Sequence, residues 1–108
     1  MPKRLPRITH MQYLVLGLLK EREQPGRIIR DVLAAHGVRR SAPAFYQLMA
    51  RLERDRLVDG WYEQVTAGDQ TVTERRYRLR PAGAKLWTEA RDFYTHAVVQ
   101  PAPRWSDA

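Results

Sequence analysis

Residues 41–65 read SAPAFYQLMARLERDRLVDGWYEQV, and within them the apolar period changes once, from helical to alternating. Ser41 suits the cap of a helix, because its hydroxyl accepts one of the backbone N–H groups that a first turn leaves unpaired, and Pro43 is tolerated inside that turn. Phe45, Leu48, Met49 and Leu52 recur at helical spacing and predict a buried stripe, continued by Leu57 and Val58 beyond the helix end. The opposite face carries Ala44, Gln47, Arg51 and Arg54. From Trp61 the pattern alternates: Trp61, Glu63 and Val65 share one face, as do Tyr77 and Leu79 after the turn-forming segment Ala67-Gly68-Asp69. That predicts a two-stranded hairpin whose loop is too long for a tight two-residue turn. Its polar face and tip present Arg75, Arg76 and Arg78. Alternation lets at most two of these point the same way, and Arg76 and Arg78 make the better pair. Trp61 is expected in the core.

Upstream, Thr9 and Gln12 have the spacing of a capping box, with Ile8 and Tyr13 placed to staple it. Met11, Leu14, Val15, Leu18 and Leu19 follow at helical spacing, so the first helix is expected over residues 9–22, stopped by Gln24-Pro25-Gly26. A second helix is expected from about Arg27 to His36, with Ile28, Ile29, Val32 and Leu33 as its apolar face. Gly37 is the expected left-handed residue after its end. Downstream, Pro81 suits the first position of a last helix reaching about Val99.

That last helix bears more apolar width than one core face needs. Because a monomer would expose the surplus, a homodimer is expected, with Met11, Leu86, Trp87, Ala90, Phe93, Tyr94, Ala97 and Val98 at its interface. Trp87, Phe93 and Tyr94 are also placed to line a pocket for a small apolar effector between subunits, with Trp87 the candidate contact. Aromatics at helical spacing are more often plain core or dimer packing.

The order is three helices, a hairpin and another helix. This is mainly α with a small β-hairpin, the order of a winged helix-turn-helix, in which the third helix enters the major groove of DNA and the wing touches backbone or minor groove. The chain divides into a basic flexible arm over 1–8, the winged helix over 9–80, a dimerisation helix over 81–99 and a mobile tail over 100–108. A net charge of +7 in 108 residues favours a polyanionic partner, since each neutralised phosphate releases a condensed counterion. Gln47 and Arg51 are the candidate base readers, because Gln pairs bidentately with adenine and Arg with guanine. Arg39, Arg40, Ser41, Ala44 and Arg54 flank them, and Arg76 and Arg78 are assigned to the wing's contacts.

Three stretches make the pattern more specific: MQYLVLGLL at 11–19, FYQLMARLERDRLVDG at 45–60 and RRYRLRPAG at 75–83. In these the chain resembles the PadR family of transcription regulators over about residues 9–99. The resemblance implies a dimeric repressor whose last helix exchanges contacts with a partner subunit. It also implies recognition helices that read a pseudo-palindromic double-stranded operator, and activity that responds to a small-molecule effector. It places Tyr46 near DNA or at the boundary between helix and core. Three residues depart from the family: Arg56 stands where Gly is usual, Arg27 where Gly-Tyr is common, and Arg80 where Thr or Ser caps the last helix.

Other chemistries find little support. No cysteine is present, which removes disulfides, thiolate zinc sites and cysteine nucleophiles together. His10, His36 and His96 lie on separate elements without ligand spacing, so no metal site is expected. Ser41 is spent as a cap, Ser106 lies in the tail, and no glycine loop could cradle a phosphate, so neither an enzyme nor a cofactor is expected. No apolar run approaches the ~20 residues of a membrane span, and a cytoplasmic protein is expected. Lys3, Arg4 and Arg7 fit either a groove-following arm or a solubilising terminus. The alternative function is a protein-interaction adaptor whose charge serves an acidic partner, a choice that fold alone does not make.

Overall fold

The computed structural model describes residues 6–99, with side-chain surroundings given as far as Ala97. Lys3, Arg4, the side chain of Val98 and the tail over 100–108 lie outside the described residues. Four helices and three strands follow in the order α1 (His10–Leu19), β1 (Gln24–Pro25), α2 (Gly26–Ala35), α3 (Ala42–Arg54), β2 (Val58–Ala67), β3 (Gln70–Leu79) and α4 (Pro81–Val99). This is a winged helix, with one expectation extended: the sheet has three strands, ordered β1-β3-β2.

The Thr9 hydroxyl accepts the Gln12 N–H and the Gln12 side chain accepts the Thr9 N–H, both at 3.1 Å, so the capping box forms. α1 stops at Leu19, three residues short of the expected end. The chain must turn there to bring Gln24 and Pro25 beside β3, and the Gln24 side chain donates to the Leu18 carbonyl at 2.7 Å, satisfying an acceptor the helix end leaves open. What read as a stop signal is therefore a short edge strand, with Gln24 opposite Tyr77 and Pro25 opposite Arg76. Proline is admissible at an edge because it has no N–H to donate.

α2 and α3 end alike. Val38 N–H donates to the Leu33 carbonyl and Gly37 N–H to Ala34, while Leu57 N–H donates to Leu52 and Arg56 N–H to Glu53. Both are Schellman motifs, which place one residue in the left-handed region. Gly37 occupies it at φ 85°, as expected, and Arg56 does so at φ 59° despite its Cβ.

β2 and β3 pair without interruption from Val58↔Leu79 to Ala67↔Gln70, leaving only Gly68 and Asp69 unpaired. The expected long loop is thus a two-residue turn, and Gly68 supplies its positive φ of 68°. The polar tip hides this extension from the sequence, because neither face is buried there and only backbone pairing continues the strands.

Among the described residues, ten side chains form one core cluster, Val15, Leu16, Leu19, Ile29, Leu33, Phe45, Met49, Leu52, Val58 and Tyr77, and Ala90 is buried apart from it. Directly opposed strand residues share a face, so Val58, Tyr77 and Leu79 point one way and Trp61, with Asp59, Arg76 and Arg78, points the other. Trp61 is therefore not core: it lies half-buried on the far face, with the Arg78 guanidinium 5.6 Å from its ring. α4 packs across α1 through Trp87, which stacks on Tyr13 at 5.7 Å and 8°. Gly17 permits the approach, since a Cβ there would fall 2.8 Å from the indole nitrogen. The base of α4 is seated on the corner between α3 and β2. The Arg80 N–H donates to the Leu57 carbonyl at 3.0 Å, and a Cβ on Gly83 would overlap that same oxygen.

Candidate nucleic-acid interface

α3 owes its orientation to Phe45, Met49 and Leu52, all fully buried, and its start to Ser41, whose hydroxyl accepts the Ala44 N–H at 3.2 Å. The opposite face, two residues out of phase with Phe45 and Met49, is left to solvent. There Gln47, Arg51 and Arg54 are exposed and Ala44 is half-buried. Gln47 and Arg51 are thus neither folded back on the protein nor covered by it. With His10 and Gln12 of α1, and with Arg40 and Ala44, they line a groove of about 470 Å³.

Arg39 and Arg40 stand exposed just before the cap. The loop that carries them is tethered by Arg30, whose guanidinium donates to the Arg40 carbonyl at 3.1 Å. Arg39, Arg40, Arg51 and Arg54 are ion-paired with no carboxylate among the described residues, whereas Arg27, Arg75, Arg76, Arg78, Arg80 and Arg91 all are. Arg39, Arg40, Arg51 and Arg54 thus bring positive charge without a carboxylate partner to the approach and outer face of α3.

The wing differs from expectation. Its tip carries Ala67, Gly68, Asp69 and Gln70, while Arg76 and Arg78 sit near its base opposite Trp61 and Asp59. Arg76 is held by Glu63 and Glu74 at 3.1 Å and by Glu23 at 3.7 Å, and its side chain is 18% exposed. Its charge is already balanced by carboxylates of its own chain. Arg78 remains mostly exposed while hydrogen-bonded to Asp59 at 3.1 Å. Arg80, in place of a capping hydroxyl, reaches the same carboxylate at 2.8 Å. Hydrogen bonds from Arg80 and then Arg78 hold Asp59 below the usual carboxylate range of 3.8.

Tyr46 lies at the boundary of helix and core, partly exposed. Its ring meets Phe45 edge-on at 5.0 Å and covers Gly26, where a Cβ would come 3.1 Å from the hydroxyl. It also borders a second cleft of about 500 Å³, between α3 and the wing, with Glu53, Tyr62, Arg75 and Tyr77. Burial pushes the Tyr77 hydroxyl up to about 12. The Glu53–Arg75 pair had no signal in the sequence, since the two residues stand on different elements and 22 positions apart.

The expected dimer residues divide. Ala90 is fully buried in its own chain, packed out of reach of any partner, and so is corrected to core. Met11, Leu86 and Trp87 are half-buried against the chain's own core, Phe93 is half-buried, and Tyr94 and Ala97 are exposed. Among the described residues no cluster of His, Cys, Asp and Glu could hold a metal ion, and no helix is long and apolar enough to cross a membrane.

No protein-family model and no curated protein sequence matches the chain. Solved structures do. A PadR family transcriptional regulator from Eggerthella lenta is 27% identical and superposes with a TM-score of 0.64, over 82% of this chain and 74% of that one. This chain has the PadR-like winged-helix fold. A PadR-like transcription factor from Bacteroides fragilis is 21% identical, with a TM-score of 0.67 over 81% of this chain and 82% of that one. Bacillus subtilis PadR, solved in complex with operator DNA, is 17% identical with a TM-score of 0.59, over 88% of this chain but 50% of its own length.

Proposed function

We propose that this chain is a sequence-specific double-stranded DNA-binding transcription regulator, acting as a homodimer and most simply as a repressor. One observation carries the reading: Gln47 and Arg51 project from a well-anchored helix into an open groove whose surrounding arginines have no carboxylate partners. A base edge supplies the donors and acceptors that Gln and Arg match, and phosphates supply the missing counter-charge for Arg39, Arg40 and Arg54. The solved complex of Bacillus subtilis PadR with operator DNA supports this use of the fold. Nothing observed favours the adaptor reading, which requires an acidic protein surface to fill the same groove.

The unit over 9–80 reads DNA, and 81–99 joins two copies through Phe93, Tyr94 and Ala97, with Met11, Leu86 and Trp87 behind them. The half-exposed aromatic surface there supports the pairing. A small planar apolar effector would enter this seam beside Trp87, which Lys20 and Arg91 already flank at 4.5 and 5.3 Å. Selection of bound duplexes from a random pool tests the reading. Enrichment of a two-fold symmetric site, with half-sites about one helical turn apart, is expected. A pool that never enriches, or binding indifferent to salt, overturns it.

A further inference from the structure

The groove-facing side chains leave the cleft between α3 and the wing unexplained. Glu53, in the last turn of α3, and Arg75, on β3, are joined there by a hydrogen-bonded ion pair, with side-chain exposures of only 26% and 24%. The guanidinium lies 4.7 Å from the ring centre of Tyr62 and 5.6 Å from that of Tyr77, so two aromatic faces hold its plane. Gly60 completes the fit. A Cβ at that position would overlap the Glu53 carboxylate and fall 2.8 Å from Arg75 Nη2.

Ladder hydrogen bonds fix β2 against β3 but leave the angle between hairpin and helix to other contacts. Among the described residues, the Glu53–Arg75 pair is the one side-chain hydrogen bond that joins α3 to either wing strand. A planar fork gripped by a carboxylate and two rings has few alternative geometries, unlike a flexible ammonium. We propose that Glu53, Arg75 and Gly60 are positioning residues that hold the wing at a fixed angle to α3, so that helix and wing engage one duplex as a rigid unit. Its bearing on DNA rests on the function proposed above. The pair also keeps Glu53 neutralised, where a free carboxylate would repel phosphate.

The absence of cysteine makes the test direct. Spin labels on Ala50→Cys in α3 and Thr71→Cys on the wing, both exposed positions, report the helix-to-wing distance in the full chain. A single narrow distribution is expected, broadened or displaced by Glu53→Gln and equally by Gly60→Ala, which changes no charge. Arg75→Lys, which keeps the charge and loses the fork, should behave like them. Each is expected to weaken binding to a selected operator by about tenfold, the cost of lost preorganisation. A distribution unchanged in Glu53→Gln and Gly60→Ala overturns the proposal. So does a changed distribution with undiminished operator affinity. Should the unaltered chain bind no selected DNA, the regulator reading fails, while the distances still decide whether the pair sets the wing.

Discussion

Replacing Arg76 by Met separates the two roles open to a basic residue in a wing. Its nitrogens lie 3.1 Å from Glu63, 3.1 Å from Glu74 and 3.7 Å from Glu23, and Glu74 is only 12% exposed. Removing one partner of a fully buried ion pair costs about 3–5 kcal/mol. Glu23 and Glu63 are nearly half exposed and stay hydrated, so the loss falls mainly on Glu74, which keeps only the exposed Arg27 at 3.7 Å. The expected destabilisation is then about 2 kcal/mol, the cost of one unpaired buried acceptor and below that of a fully buried pair. At roughly 4–8 °C per kcal/mol for a domain of this size, the melting midpoint should fall by roughly 8–16 °C. The slope of log affinity against log salt for operator binding should stay unchanged, since no phosphate contact is lost. Calorimetric melting and a salt titration of operator binding read the two quantities separately. A midpoint that holds while the slope becomes shallower by ~0.9 per lost phosphate contact would refute the assignment of Arg76 to the carboxylate cluster.

Arg51→Ala should do the reverse, leaving the melting midpoint nearly in place while relaxing base preference at one position in competition binding, by ~1–3 kcal/mol of discrimination. Arg56→Gly should stabilise the chain by about 0.5–1 kcal/mol in urea unfolding, because the left-handed strain of a residue with a Cβ exceeds the extra freedom Gly has when unfolded. A destabilised variant would mean that Arg56 makes a compensating contact. Tyr77 keeps its proton to about 12 in the folded chain, against 10.0 when exposed. Between those values the unfolded state ionises first, so stability should be intact below pH 10 and then fall by ~1.4 kcal/mol per pH unit. Tyr77→Phe should remove that decline, and an equal decline in the variant would assign it elsewhere.

The sequence made most of the fold legible because its signals were local. Thr9 with Gln12, Ser41, Gly37 and the Phe45–Leu52 stripe each name their own element, and all act where expected. α1 was less readable: it is apolar almost all round, so the fully buried Leu16 did not stand out from Met11 and Leu14. Trp61 was misplaced, while Arg76 and Arg78 do share the polar face. A strand's parity says which residues share a face, and only tertiary packing says which face meets the core. β1 escaped notice because two residues, Gln24 and Pro25, are too few to show a period. The exposed part of the candidate site, Gln47 and Arg51, followed from helical spacing against a strong apolar stripe. The Glu53–Arg75 pair and the Arg76 cluster depend on strand register, which no local pattern records.

The seating of α4 on the α3–β2 corner has a geometric result. With no Cβ on Gly83 and the Leu57 carbonyl beneath it, a 19-residue helix is clamped at its foot, and farther along it rests on α1 through Trp87 and Tyr94 against Tyr13. Such a rod is about 28 Å long at 1.5 Å per residue. A tilt of roughly 10° at the clamp therefore sweeps its far end by roughly 5 Å, a sizeable fraction of the ~34 Å between successive half-sites. In two copies joined along this rod, the small residue at its foot would set how far apart the two reading heads stand.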